Sequence, residues 1–147
     1  MKQEYVRDWM TEDVITIKKG TALPDAHQLM TIKKIRRLPV VDEEGKLIGI
    51  ITLGDVRGAE ASPATSLSIW ELNYLLSKLK VEQFMTVDPF TLSPDTTIGT
   101  AARLMLEHKV SGLPVVDDQR RLVGIITESD IFRLVVANEW EQQQMAS

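Results

Sequence analysis

The sequence predicts an α+β protein made of two βαββα repeats related by a pseudo-twofold axis, with small sheets flanked by helices. When the chain is shifted by 75 positions, Val6–Arg57 aligns with Val81–Phe132 without a gap, and 21 of the 52 aligned positions are identical. Two copies are too few for a stacked solenoid, so the repeat indicates a duplicated half-domain with two equivalent clefts.

Each copy begins with a short predicted strand, Val14–Ile17 in the first and Phe90–Leu92 in the second, where β-branched and aromatic residues cluster. Apolar residues then recur at helical spacing, which predicts one helix per copy. Thr21 and Thr96 are the predicted caps of these helices.

A β-hairpin is predicted next in each copy. In the first copy, the apolar runs Leu38–Val41 and Leu47–Ile51 are separated by a turn in which Gly45 is expected to have a positive φ. The second copy has Arg120 at the position of Gly45, so a different turn is expected there. The second strand of the hairpin does not alternate polar and apolar residues, so we expect both of its faces to be covered.

Four segments follow from this pattern: the first repeat with its N-terminal segment (1–57), a linker (58–80), the second repeat (81–133), and the end of the C-terminal helix with a tail (134–147). The linker opens with small residues, for which we expect a loop. It continues with an amphipathic helix that Ser68 and Glu71 are placed to cap.

Composition narrows the classes of function. The chain has 147 residues, 44% of them hydrophobic, which suffices for a buried core. It has no cysteine, so a disulfide framework and a thiolate zinc site are excluded. A net charge of −4 argues against nucleic-acid binding through a broad basic face. No signal peptide or membrane-spanning run is recognised, so a cytoplasmic location without membrane association is expected.

The motif Thr-x-x-Asp follows the Gly-Ile-Ile strand of both copies, as Thr52 to Asp55 and as Thr127 to Asp130. One interpretation is a helix cap, in which the threonine hydroxyl accepts from a first-turn N–H and the carboxylate lies at the positive end of the helix dipole. A carboxylate at such a corner can also hold a ribose diol or orient a phosphate, so the two interpretations coexist.

Each copy has the same order of features: a helix, then Leu-Pro-Val-Val-Asp, a turn, and Leu-(Ile/Val)-Gly-Ile-Ile-Thr-x-x-Asp. A linker helix joins the two copies. This arrangement resembles a tandem CBS-domain pair (Bateman module) of the stand-alone type. The resemblance covers residues 6–133. It implies a non-catalytic regulatory module that binds AMP, ADP, ATP or a related adenosyl ligand in clefts between the repeats. It also implies a homodimer of pairs, no required cofactor, and an unidentified protein partner that responds to ligand occupancy.

The resemblance also implies roles for individual residues. The ribose would be held by Thr52, Asp55, Thr127, Ser129 and Asp130. The adenine pocket would be lined by Val14, Ile15, Thr16, Ile35, Phe90, Thr91 and Val110. For the apolar members of this second set, packing in the core is the competing interpretation.

Basic residues before the Leu-Pro-Val-Val segment differ between the copies. The first copy has Arg36 and Arg37, which the resemblance makes phosphate ligands, whereas the second has Ser111 and Gly112. The arginines also follow a predicted helix end, where cations complement the helix dipole. We hypothesise that the cleft receiving Arg36 or Arg37 prefers di- or triphosphates, because the guanidinium fork suits phosphate oxygens.

Two other classes of function are alternatives to a ligand-binding module. A structural dimerisation or protein-interaction module without ligand would share the same fold. An enzyme would need a nucleophile with a base or a carboxylate pair, and the duplicated acidic residues fit a turn and a helix cap instead. His27 and His108 are not at equivalent positions, so neither a symmetric catalytic role nor a metal site is expected.

Overall fold

The computed structural model describes residues 3–61 and 68–146, with side chains as far as residue 139. In chain order the elements are α1 (Val6–Trp9), β1 (Ile17–Lys18), α2 (Leu23–Lys33), β2 (Arg37–Val41), β3 (Leu47–Thr52), α3 (Leu53–Ala61), α4 (Ile69–Lys78), a 3-10 turn (Val81–Gln83), β4 (Thr86–Val87), α5 (Ile98–His108), β5 (Gly112–Val116), β6 (Leu122–Thr127) and α6 (Glu128–Ala146). The linker loop predicted to begin at Gly58 is wrong at its start, because α3 continues to Ala61. The rest of that loop, residues 62–67, lies outside the described residues. In the described part of the chain, no helix combines the length and the apolar character that crossing a membrane requires.

The chain folds as two compact units whose boundaries differ from those of the sequence repeats. One unit, here called the first-repeat unit, is Ile15–Pro89. The other, the second-repeat unit, combines Met1–Val14 with Phe90–Ser147. The segment that leads into each repeat along the chain therefore belongs to the unit of the other repeat.

The first-repeat unit has a four-stranded sheet in the order β1-β2-β3-β4. Strand β1 runs parallel to β2, with Ile17 opposite Val40, and the other pairs are antiparallel. The predicted strand Val14–Ile17 is wrong in its bounds, because only Ile17 and Lys18 pair with β2. The Val14 N–H instead donates to the Glu12 carbonyl in a tight turn.

The second-repeat unit keeps the same order with fewer paired residues. Its β5-β6 hairpin is flanked by single bridges, Leu92 with Val115 on one side and Thr11 with Ile125 on the other. The predicted strand Phe90–Leu92 is thereby reduced to Leu92. Each unit thus has one short hairpin with a minimal strand on either edge.

Each unit has its own hydrophobic core between its sheet and its helices. In the first-repeat unit, Leu23 and Met30 from α2 and Val56 from α3 pack on the β-hairpin. In the second-repeat unit, Ala101 and Met105 from α5 pack on β5 and β6. Strand β3 is buried at Leu47 and from Gly49 to Ile51, which confirms that both of its faces are covered.

The predicted helix caps are one residue too early. Helix α2 is preceded by Ala22, and the Thr21 hydroxyl donates to the Lys18 carbonyl at 2.7 Å instead of capping. Helix α5 is capped by Thr97, whose Oγ1 accepts from the Thr100 N–H at 3.3 Å. The linker helix is as predicted at its start, because Ser68 Oγ accepts from the Glu71 N–H.

The prediction of different hairpin turns is wrong. Gly45 has a φ of 81° and Arg120 a φ of 63°, both left-handed. In each turn one aspartate oxygen accepts two backbone N–H groups, at 2.9 Å in every case: Asp42 from residues 44 and 46, and Asp117 from residues 119 and 121. These bonds hold the backbone in one conformation, which a non-glycine residue can adopt at a modest cost.

Two glycines in the hairpins make room for methionines. A Cβ built on Gly49 of β3 would lie 2.5 Å from Met85 Sδ, and a Cβ on Gly124 of β6 would lie 2.5 Å from Met10 Sδ. Met10 and Met85 are equivalent in the two copies and belong to the exchanged leading segments. Close packing therefore explains both glycines.

Candidate functional site

Thr52 and Asp55 form a reciprocal cap at the corner between β3 and α3. The Thr52 N–H donates to Asp55 Oδ2 at 2.9 Å, and the Asp55 N–H donates to Thr52 Oγ1 at 3.1 Å. The following residue, Leu53, donates its N–H to the Arg36 carbonyl at 2.7 Å, which fixes the corner to the start of β2. The predicted capping geometry is confirmed in this copy.

Thr127 and Asp130 occupy the equivalent corner between β6 and α6. Asp130 Oδ2 accepts from the Thr127 N–H at 2.8 Å and from its hydroxyl at 3.3 Å. The Glu128 N–H donates to the Ser111 carbonyl, as Leu53 does to Arg36. Ser129 is exposed on the first turn of α6.

The two aspartates differ in burial and in charge partner. Asp130 is 2% exposed, and its Oδ1 accepts from the Arg133 guanidinium in an ion pair. Asp55 is half-buried, and position 58, equivalent to 133, is a glycine. Arg133 was not among the predicted site residues, although the spacing of three residues on a helix predicts that it neighbours Asp130.

The predicted adenine-pocket residues lie in mixed surroundings. Ile15 and Ile35 pack against the core of the first-repeat unit. The other members are half-buried or exposed: Val14, Thr16, Phe90, Thr91 and Val110. Phe90 is 59% exposed and its ring stacks on that of His108, with centroids 3.9 Å apart.

The two adjacent arginines lie in different places. Arg37 is the first residue of β2 and stands opposite Thr52 in the ladder, so their side chains share one face of the sheet. Arg36 lines a cavity of about 340 Å³ between α2 and α3. Residues Thr52 and Asp55 do not line that cavity. Arg36 and Arg37, which were predicted to act together as phosphate ligands, therefore lie at different sites.

Each histidine lies on a helix and contacts a residue outside that helix. His27 is one-third exposed on α2, and its Nδ1 lies 2.6 Å from Glu60 Oε1 on α3. His108 contacts Phe90, as described above. The two histidines are therefore equivalent neither in sequence position nor in the residues that they contact.

The fold and its two corners define a class of protein: an internally duplicated α+β module with a Thr-x-x-Asp corner after one strand of each hairpin. The family model of the CBS domain matches the chain twice, at residues 6–62 and 81–137. The chain belongs to the CBS domain family, as a tandem pair.

Relatives and solved structures agree with this assignment. The chain is 41% identical over 130 residues to a homoserine O-acetyltransferase of Methanococcoides burtonii, a match that spans 88% of this chain and 24% of that protein. It thus spans about a quarter of the first relatives that it matches.

Two solved CBS structures carry adenosyl ligands. One is the CBS domain pair of protein MJ0100 in complex with 5′-methylthioadenosine and S-adenosyl-L-methionine (TM-score 0.79, 34% identity, 93% of this chain and 99% of that one). The other is CBSX2 in complex with AMP (TM-score 0.78, 33% identity, 92% and 98%). The family to which this chain belongs therefore includes proteins that bind adenosyl ligands.

Proposed function

We propose that this CBS pair is a non-catalytic sensor that binds an adenine nucleotide or a related adenosyl compound at its two Thr-x-x-Asp corners. The observation that carries the proposal is the pairing of Thr52 with Asp55 and of Thr127 with Asp130 at equivalent strand-to-helix corners. The complexes of MJ0100 and CBSX2 with adenosyl ligands support the same class of ligand.

The ribose is the part of the ligand that these corners suit. A ribose diol presents two adjacent hydroxyl donors, and an ionised carboxylate accepts hydrogen bonds only. Asp55 uses Oδ2 for the Thr52 N–H, and no described residue donates to its Oδ1, which is therefore available to a hydroxyl. Ser129 is exposed beside Asp130 and would add a hydroxyl in the second copy.

The adenine and the phosphates would use neighbouring groups. We assign the adenine to Val14, Ile15, Thr16 and Ile35 in one copy and to Phe90, Thr91 and Val110 in the other, where Phe90 and Val110 leave apolar surface exposed. Arg37, which shares a sheet face with Thr52, is the arginine placed to approach a phosphate of a nucleotide held at the first corner. ADP and ATP would gain most from it.

Regulation would follow from different ligand affinities of two conformations, which a protein partner distinguishes.

We propose that the active form is a homodimer. An apolar patch supports this: Leu106 on α5 and Phe132 and Val136 on α6 are 80%, 65% and 65% exposed. Isolated exposed apolar residues are common, but several on adjoining helices are typical of an interface. The cytoplasmic location stays a prediction.

The same patch favours a second candidate function, a dimerisation or protein-interaction module that uses no ligand. The two candidates differ in whether ligand binding stabilises the native state. A thermal-shift screen with AMP, ADP, ATP, S-adenosylmethionine, 5′-methylthioadenosine, NADH and a cyclic dinucleotide would separate them. A rise in Tm with an adenosyl compound supports the sensor, and no response to any compound supports the structural module.

The site is tested with Asp55→Asn combined with Asp130→Asn. We expect this double variant to lose the ligand-dependent rise in Tm, because each amide offers one acceptor oxygen without charge. Asp25→Asn combined with Asp118→Asn removes the same charge from two exposed positions and should respond like the wild type. An unchanged response of the corner double variant would place the ligand elsewhere.

A further inference from the structure

We propose that Arg133 couples ligand binding at the second corner, formed by Thr127 and Asp130, to self-association through the apolar patch on α5 and α6. The inference rests on the proposed function, in which Asp130 takes a ribose hydroxyl and the patch meets a second copy of the chain. Arg133 lies between these two sites on α6, and it binds the carboxylate oxygen that the hydroxyl needs.

The geometry of α6 places Arg133 at the border of both sites. Residues three apart on an α-helix are neighbours, and Arg133 is three residues after Asp130 and three residues before Val136 of the patch. Successive residues turn by about 100° around the helix axis, so Arg133 lies about 60° from each of the two. The guanidinium thus reaches the carboxylate from a position at the margin of the patch.

Asp130 balances the charge of Arg133. The guanidinium donates to Asp130 Oδ1, and the aspartate side chain is buried whereas the arginine side chain is two-thirds exposed. The other residues three or four positions from Arg133 are Ser129, Val136 and Ala137, and none of them is acidic. If another donor takes Asp130 Oδ1, Arg133 therefore has no second acidic neighbour at these helical spacings.

A ribose hydroxyl at the second corner is such a donor. Asp130 Oδ2 already accepts from the Thr127 N–H at 2.8 Å and from the Thr127 hydroxyl at 3.3 Å, so a ligand hydroxyl would bind at Oδ1. It would displace the guanidinium from that oxygen. The charge of Arg133 would then be unbalanced at the edge of the apolar patch.

This unbalanced charge acts against self-association. A twofold homodimer joins the same surface of two copies, so both Arg133 side chains border one interface. Two guanidinium groups without acid partners repel each other and lose water there, which an ion-paired arginine avoids. Ligand at the second corner should therefore weaken the dimer, and the dimer should weaken ligand binding by the same factor.

The first repeat lacks this arrangement. Gly58 occupies the position of the arginine, and Arg57 and Ala61 occupy the positions of Phe132 and Val136 in the patch. The first corner thus has neither a competing arginine nor an apolar surface beside it on α3. We expect ligand binding at the second corner alone to alter self-association.

Sedimentation velocity with adenosine tests the coupling in an Asp55→Asn background, which leaves the second corner as the adenosine site. Saturating adenosine should raise the dissociation constant of the dimer about tenfold, because two adenosines per dimer are each coupled about threefold. Adenosine has no phosphate, so its own charge does not contribute. Arg133→Ala should abolish this shift, although calorimetry should still detect adenosine binding.

Arg103→Ala is the matched control. Arg103 is as exposed as Arg133, lies three residues before Leu106 of the patch, and also has an acid partner on its helix, but that partner is Glu107. Its replacement should leave the adenosine-dependent shift at about tenfold. A shift that disappears equally in Arg103→Ala would mean that any arginine at the margin has this effect, and it would overturn the coupling through Asp130.

A second variant tests the coupling without any ligand. Asp130→Asn should weaken the dimer about tenfold, as adenosine does, because an amide cannot balance the charge of Arg133. Adding Arg133→Ala should restore the dimer. If Asp130→Asn does not fold, the comparison of Arg133→Ala with Arg103→Ala decides the proposal alone.

The failure of the coupling and the failure of the sensor function give different results. Adenosine binding without a change in the dimer dissociation constant, a shift that persists in Arg133→Ala, or a monomeric wild type would overturn the coupling and leave the sensor function intact. Absence of adenosine binding to the wild type in calorimetry would count against the sensor function and the coupling together.

Discussion

The guanidinium of Arg133 donates a hydrogen bond to Oδ1 of Asp130, three residues earlier on α6. Asp130 has 3% of its side chain exposed, whereas the Arg133 side chain is 66% exposed. In the first repeat, Asp55 is half-buried and Gly58 occupies the position of the arginine. The two corners therefore share their Thr-Asp pair but differ in how accessible the carboxylate is.

This difference predicts unequal affinities for adenosyl ligands. A diol at Asp130 has to compete with Arg133 for Oδ1, so we expect the first corner to bind AMP more tightly. Replacing Arg133 by alanine should strengthen binding at the second corner by about fivefold, which corresponds to roughly 1 kcal/mol, the upper range for a largely exposed ion pair. Calorimetry of Arg133→Ala in an Asp55→Asn background measures that corner alone.

The converse substitution provides the control. Gly58→Arg should weaken AMP binding at the first corner, while Gly58→Ala should not, and both should stabilise α3 by about 1 kcal/mol because glycine is a poor helix former. Gly58 is exposed and no neighbouring atom lies within 4 Å of a Cβ built on it, so a Cβ can be added there without a clash. Equal AMP affinity in these two variants would show that the arginine does not compete with the ligand.

The scaffold could be predicted from the sequence because each of its parts has a local signal. The hairpins follow from apolar runs around an aspartate-led turn, and the α4 start follows from the Ser68-x-x-Glu71 spacing. Two features could not be predicted. The placement of the leading segments in the opposite units depends on tertiary packing, and the left-handed Arg120 depends on the hydrogen bonds of Asp117. The different placement of Arg36 and Arg37 was not predicted, because the predicted strand began only at Leu38 whereas β2 begins at Arg37.

The hairpin turn of the second repeat should depend on the hydrogen bonds that Asp117 accepts. Asp117→Ala removes the acceptor of the residue 119 and 121 N–H groups and should lower the free energy of unfolding by about 1–2 kcal/mol, the effect of losing a capping carboxylate. Asp118→Ala, at an exposed position in the same turn, is the matched control and should change it by less than about 0.5 kcal/mol. Urea denaturation measures both, and equal effects would mean that the Asp117 bonds do not stabilise the turn.

The apolar patch on α5 and α6 predicts self-association through the second-repeat unit. Phe132→Glu should convert a dimer into a monomer in sedimentation velocity, because it buries a charge at the centre of an apolar contact. Trp70→Glu is the control, since Trp70 is 82% exposed on α4, outside the patch. Dissociation by Trp70→Glu alone would place the interface on the linker helix.

The two glycines that admit methionines should not tolerate alanine equally. In β3, the three atoms nearest to a Cβ at Gly49 all belong to the flexible Met85 side chain, which can rotate away. In β6, a Cβ at Gly124 would also lie 3.0 Å from the Thr11 carbonyl oxygen, which already accepts the Ile125 N–H at 3.0 Å. The backbone at Thr11 cannot move away without breaking that bond. Gly124→Ala should therefore lower the free energy of unfolding by about 2–3 kcal/mol, and Gly49→Ala by about 1 kcal/mol.

The comparison of these two variants has internal controls. Gly99→Ala, on α5 with no atom within 4 Å, should stabilise the protein by about 0.5–1 kcal/mol. In a Met85→Ala background, Gly49→Ala should lower the free energy of unfolding much less than it does in the wild type, since the nearest side chain has been removed. A Met10→Ala background should give little such rescue of Gly124→Ala. Equal rescue in both units, measured by thermal unfolding, would mean that the methionine clash and not the Thr11 carbonyl limits position 124.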